Sequence, residues 1–142
     1  MTVKTVALNF QTGGDAQMIN ITPHTAQAVA DSELGAGIVT LFVPGSTAAL
    51  TTIEYESGAL ADFKRLFDEL APSDRHYQHN ARWQDGNGHS HIRASLLGPS
   101  LTVPFTDGRL LLGTWQQIIF VDFDNRPRQR TVIVQIMGET RG

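Results

Sequence analysis

A chain of 142 residues, 41% hydrophobic and 18% charged, can bury one core and is too apolar and too weakly charged for disorder. Its net charge of −3 leaves no electrostatic footprint for nucleic acid, and without cysteine it forms neither disulfides nor thiolate metal sites. No apolar run reaches the ~18 residues of a membrane span. The opening Met1-Thr2-Val3-Lys4-Thr5-Val6 lacks a leader's apolar stretch, so a cytoplasmic location is expected by elimination.

The β-branched and apolar run from Val3 to Phe10 predicts a first strand, ended by Gly13-Gly14-Asp15. Gln17 to Ile21 predicts a second strand, hairpinned to the first. Thr22-Pro23 has the signature of an N-cap followed by proline at the first helical position. The helix runs through Ala26, Val29, Ala30 and Leu34 to a stop at Gly35, with His24 on its surface. Gly37 to Val43 is an apolar run that predicts a central strand covered on both faces. Ala48 to Tyr55 predicts another strand.

Leu60, Phe63, Leu66, Phe67 and Leu70 form one apolar stripe, the clearest helix in the chain, closed by Pro72. Asp62 falls in its expected first turn, where the helix dipole favours a carboxylate. Residues 73–90 are polar and irregular. A short helix capped by Ser90 over His91 to Leu97, or an extended segment, follows up to Gly98-Pro99. Ser100 to Phe105 predicts an edge or terminal strand, since Pro104 cannot donate to a ladder. Asp107-Gly108 is a hairpin turn, and Leu110 to Phe123 a long or bent strand in which Trp115 packs. Residues 122–126 turn, and Gln129 to Met137 is the last strand. These elements form one domain over 1–142, of the α+β class with a mainly antiparallel sheet.

Three of the five histidines, His79, His89 and His91, fall in thirteen residues around Gly86-Asn87-Gly88. Imidazoles gathered by a glycine-flanked loop point to a divalent-metal site with open positions. The competing reading is a polar loop whose histidines act separately. In a strand, His89 and His91 share a face. In a helix, residues two apart diverge by about 200°. The convergent arrangement keeps His89 in the loop and His91 at the helix start. His76 has no motif behind it.

Pro44-Gly45-Ser46-Thr47-Ala48-Ala49-Leu50, Tyr77-Gln78-His79, the run from Gly86 to Gly98, and Gly113-Thr114-Trp115-Gln116, in this order, resemble the YjbQ family. The resemblance spans about Val3 to Glu139. It implies a compact α+β sandwich with two or three helices, a homotrimer, a histidine-based metal site and a weak thiamine-phosphate synthase activity. Many members carry a histidine where this chain has Gly45, so His89 is expected to supply the missing imidazole. The metal expected on His79, His89 and His91 is zinc.

Glu54 is the expected general base or ligand-orienting carboxylate. The family tends to have aspartate at Asp62, which joins it as a catalytic candidate. Arg93, Arg128 and Arg130 are phosphate clamps by side-chain type. Gly45, Ser46 and Thr47 offer N–H and hydroxyl donors to the same anion, and Asn87 and Gln116 are expected to face it. The expected function is a metal-dependent enzyme of phosphorylated small molecules. The alternative is a non-catalytic metal- or anion-binding trimer.

Overall fold

The computed structural model describes residues 1–141. Two antiparallel sheets face each other; two helices cover the smaller one from outside, and another packs Ala28 and Val29 into the core between the sheets. The larger sheet has the order β1 (Thr2–Thr12), β8 (Arg128–Thr140), β3 (Leu34–Phe42), β5 (Ser100–Thr106), β6 (Arg109–Leu110). The smaller has the order β2 (Gln17–Asn20), β7 (Gln117–Asp122), β4 (Ala48–Ile53). Four helices lie among the described residues: α1 (Thr22–Ser32), α2 (Ser57–Leu70), α3 (Gln78–Trp83) and α4 (Gly88–Leu97).

The strand covered on both faces is β7, not β3. Its Ile118 and Phe120 point into the space between the sheets, where they meet Val39, Leu41, Val132, Val134 and Ile136. Its Ile119 and Val121, with Phe123 beyond, point the other way onto Phe67 of α2 and Ala94 of α4. Two-residue alternation along one strand thus builds both cores. On β3 the alternate residues Ile38 and Phe42 stay exposed.

The expected β1–β2 hairpin does not form. β1 pairs with β8, from Thr2 opposite Gly138 to Thr12 opposite Arg128, while β2 pairs with β7. Gly14, Asp15 and Ala16 all have left-handed backbones, and this turn carries the chain from one sheet to the other. Glycine is required at position 14, where a Cβ would stand 2.5 Å from the Asp124 carbonyl.

Helix boundaries move for local reasons. Ile21, not Thr22, is the cap residue of α1; Asn20 Oδ1 accepts the Thr22 N–H at 3.0 Å. Left-handed Glu33 ends that helix before Gly35. Helix α2 starts earlier than its stripe because the Glu56 carboxylate accepts the Gly58 and Ala59 N–H groups at 2.8 and 2.7 Å. Those two bonds hold the Glu56 carboxyl below its usual range. Asp62 is therefore past the first turn. The expected 110–123 strand breaks into β6 and β7, and Trp115 sits in the turn between them, 72% exposed, where it was expected to pack.

Candidate metal and anion site

The α3–α4 corner is built by two glycines and an asparagine. Gly86 takes a left-handed turn. Gly88 opens α4 pressed against α3, where a Cβ would lie 2.6 Å from Tyr77 Cβ. The Gly88 N–H donates to Asn80 Oδ1 at 2.8 Å. The helix therefore begins at Gly88 with Asn87 as cap residue, not at His91 with Ser90 as cap.

That early start separates the histidines. His89 and His91 both lie in the helix, so they project to different sides. His91 meets His79 of α3, with ring centroids 4.5 Å apart. His89 faces Tyr77, centroids 6.4 Å apart, and is only 6% exposed. The expected convergence of three imidazoles is thus a convergence of two. Burial, reinforced by the neighbouring His79, holds His91 below the usual histidine range. Burial, with Arg93 nearby, does the same to His89.

Around the pair stand oxygen donors. Asp85 Oδ1 lies 3.3 Å from His79 Nδ1, without hydrogen-bond geometry, so that buried nitrogen has no partner among the described residues. The Ser46 backbone is within hydrogen-bonding reach of His91. The Asn87 amide sits between two carboxylates. Its nitrogen is 3.3 Å from Asp124 Oδ1 in one orientation and 3.0 Å from Asp85 Oδ1 when flipped.

Behind this corner, a buried ionic network plugs one end of the sandwich. Asp122 and Asp124 are fully buried at the end of β7. Arg130 donates to both Asp122 oxygens, from Nε at 2.7 Å and Nη2 at 2.8 Å, and Thr12 Oγ1 donates to the same carboxylate. Arg128 Nε donates to Asp124 Oδ2 at 2.8 Å and Thr47 Oγ1 to the same oxygen at 3.0 Å. Arg130 Nη2 also donates to Thr47 Oγ1 at 2.7 Å. Burial alone would raise the Asp124 carboxyl, but bonds from the Asn125 N–H, Asn87, Thr47 and Arg128 outweigh it and hold it low. Its hydrogen bonds to the Asp122 carboxylate hold Arg130 charged against its burial. Gly45 lies beside Arg130 and Thr47 bonds to it, which puts the Gly45-Ser46-Thr47 run at this end.

The other expected residues lie elsewhere. Arg93 is 3% exposed and ties α4 to α2, donating to the Ala71 carbonyl at 2.9 Å and Asp68 at 3.1 Å, where a phosphate clamp was expected. Gln116 closes its own turn, accepting from the Gly113 N–H at 3.0 Å and donating to Thr52 at 3.2 Å. Asp62 is a surface residue of α2, paired with Arg65 at 3.2 Å. Glu54 follows β4 whereas Thr47 precedes it, so the whole strand, about 20 Å at about 3.3 Å per residue, separates Glu54 from Thr47. It lines a surface pocket with Tyr55, Trp115 and Gln117. Asp85, Asp122, Asp124 and Thr12 went unrecognised as site residues. The Asp-x-Asp at 122–124 and Arg-x-Arg at 128–130 carried the signal, since residues two apart on strands share a face.

Residues 6–139 match the model of the family described as UPF0047 protein, YjbQ-like. A UPF0047 protein of Archaeoglobus fulgidus is 37% identical over 130 residues, 92% of this chain and 98% of that one. Another, from Methanothermobacter thermautotrophicus, is 38% identical over 139 residues, 98% of this chain and 95% of that one. Among solved structures, a hypothetical protein of Aeropyrum pernix superimposes with TM-score 0.89 at 32% identity, covering 96% of this chain and 99% of that one. A YbjQ-like protein of unknown function from Sulfolobus solfataricus gives 0.87 at 31%, covering 97% and 100%. With sequence and fold agreeing over nearly its whole length, the chain belongs to the YjbQ-like UPF0047 family.

Proposed function

We propose that the α3–α4 corner binds a divalent cation through His79 and His91, and that the Arg130 end beside it holds a phosphate group of a small-molecule ligand. The observation that carries this is the spacing at His79. Its orphaned Nδ1 is 3.3 Å from Asp85 Oδ1 without hydrogen-bond geometry. That separation is about the edge of a tetrahedron with bonds of about 2.0–2.1 Å, the zinc–nitrogen and zinc–oxygen lengths. Two imidazoles and a carboxylate form a donor set that zinc accepts, with one position left for water or ligand. Among the described residues no three His, Asp or Glu side chains stand pre-assembled as a cage. Asp85, about half exposed, is free to turn and complete the set.

A bound cation there would supply Lewis acidity to a phosphate oxygen. Arg128 and Arg130 cannot replace it, because Asp122 and Asp124 already balance their charges. Arg130 orients the anion and Ser46 and Thr47 border it. The reaction implied by the family resemblance is thiamine-phosphate-synthase-like. The thiazole nitrogen bonds to the pyrimidine methylene carbon, the carbon–oxygen bond to pyrophosphate breaks, and pyrophosphate leaves with the electron pair.

One observation favours a second reading, a metal- or anion-binding trimer without turnover: Glu54 and Asp62 do not reach the histidines within a chain. Assembly is supported by the outer face of the larger sheet. Its rows are Val3-Met137-Ile38-Pro104, Thr5-Gln135-Thr40-Thr102, Ala7-Ile133-Phe42-Ser100 and Asn9-Thr131. No charge interrupts them, as is usual in the core of an interface.

Zinc titration calorimetry tests the cation. One equivalent per chain is expected, lost in His79→Ala and His91→Ala and retained in His89→Ala. Retention of zinc by His79→Ala removes the site. Turnover of a pyrimidine pyrophosphate with a thiazole phosphate, abolished in His91→Ala, selects the enzyme; zinc binding without turnover selects the binding trimer.

A further inference from the structure

Nothing in the fold demands glycine at position 45. Its backbone is outside the left-handed region. A Cβ there would meet only Arg130 Nη1 at 3.5 Å and Val43 Cγ1 at 3.8 Å, both ordinary contacts. Gly37 and Gly88 differ, since a Cβ at 37 would overlap the Met137 carbonyl and one at 88 would collide with Tyr77. The missing side chain at 45 therefore relieves no strain. It leaves room.

That room has a cation at its back. Arg130 Nε and Nη2 are spent on Asp122 and Thr47, while Nη1 has no acceptor among the described residues. The guanidinium cannot swing away, because Asp122 grips it in bidentate fashion. Of the atoms around residue 45, this nitrogen is the one nearest to where a Cβ would stand. The next residue, Ser46, is exposed like Gly45 and has its backbone beside His91, which in turn meets His79.

We propose that Gly45 is the specificity-determining residue of the site: the space left by its missing side chain seats an oxygen of the ligand's phosphate group against Arg130 Nη1. The inference rests on the anion half of the function proposed above, not on the metal. Phosphate suits the space better than carboxylate. It carries more charge and more acceptor oxygens than a carboxylate, so it can occupy Arg130 Nη1 and still present oxygens to a neighbouring donor.

The probe is inorganic phosphate, followed by 31P linewidth and protein amide shifts, first without zinc and then with one equivalent. Gly45→Ala should weaken binding about threefold and Gly45→Leu at least about tenfold, the second being worth about 1.4 kcal/mol. Zinc stoichiometry and melting temperature should stay unchanged. Folded Gly45→Leu that binds phosphate as tightly as wild type overturns the proposal; if that variant misfolds, an unweakened Gly45→Ala does so. Acetate binding as tightly as phosphate overturns the ligand class. Wild type that ignores phosphate in both states removes this inference and the anion reading together. Wild type that takes no zinc but shows Gly45-dependent phosphate binding removes only the metal reading and supports the proposal.

Discussion

Arg130 grips Asp122 with two parallel hydrogen bonds, 2.7 and 2.8 Å long, across the open end of the sandwich. Asp122 is fully buried and Arg130 nearly so. Removing one member leaves the other charged and unpaired, which costs about 3–5 kcal/mol in comparable buried pairs. Asp122→Ala should therefore lower the urea midpoint sharply. Thr12→Val, which removes only a hydroxyl donor to the same carboxylate, should cost about 1 kcal/mol. Equal midpoints for wild type and Asp122→Ala would show that the pair does not hold this end together.

His89 should behave as a core residue. Its Nδ1 is buried without a partner, as is the Ser90 hydroxyl beside it. An unsatisfied buried polar atom carries a desolvation cost of about 1–3 kcal/mol that an apolar replacement does not. His89→Leu should be neutral or slightly stabilising in thermal melts and should keep zinc stoichiometry unchanged. A loss of zinc would return His89 to the ligand set.

These residues also show what local pattern can and cannot reveal. The α2 stripe was legible because an amphipathic helix encodes its buried face at every turn. The His79–His91 pair was legible as imidazoles near glycines, but its third member was not. Gly86-Asn87-Gly88 has loop composition, yet Gly88 is there to let α4 start against Tyr77. One glycine read as flexible instead of as closely packed shifts the helix start by three residues and turns His89 inward. The β1–β2 hairpin failed for a similar reason: a Gly-Gly-Asp turn does not announce which sheet the chain will enter next. Asp122 and Asp124 read as turn residues by composition, although their partners Arg130 and Arg128 follow only eight and four residues later, because a turn's composition does not show that its carboxylates are buried.

The uncharged central rows on the outer face of the larger sheet should be buried in assembly. Its middle row, Thr5-Gln135-Thr40-Thr102, bonds within itself, Thr40 to Thr102 at 2.9 Å and Thr5 to Gln135 at 3.3 Å. It sits between apolar rows that include the exposed Ile38 and Phe42. A lysine placed there would have to be desolvated in any close contact, at a cost of several kcal/mol unless paired. Thr40→Lys is solvent-facing in the single chain and should leave its fold intact. Light scattering should show wild type as a trimer and Thr40→Lys as a monomer. A variant that remains trimeric would place the contact on another surface.

Acid should loosen the plugged end in a way that Asp124 controls. Its carboxyl is held below the ordinary range, since hydrogen bonds from the Asn125 N–H, Asn87, Thr47 and Arg128 outweigh its burial. Near neutrality both the folded and unfolded chains carry it ionised, and the stabilisation is fully present. As pH falls through the unfolded value of about 3.9, the unfolded chain takes up the proton first. The unfolded state then binds more protons, so stability declines with falling pH until the folded carboxyl also protonates. Asp124→Asn should be clearly less stable than wild type at pH 7, because Arg128 loses its buried partner. The gap should narrow as pH falls below about 4 and wild type loses the same charge. Urea midpoints for the two proteins across that range provide the check. A gap that stays constant down to the lowest pH would mean that Asp124 contributes through packing and not through its charge.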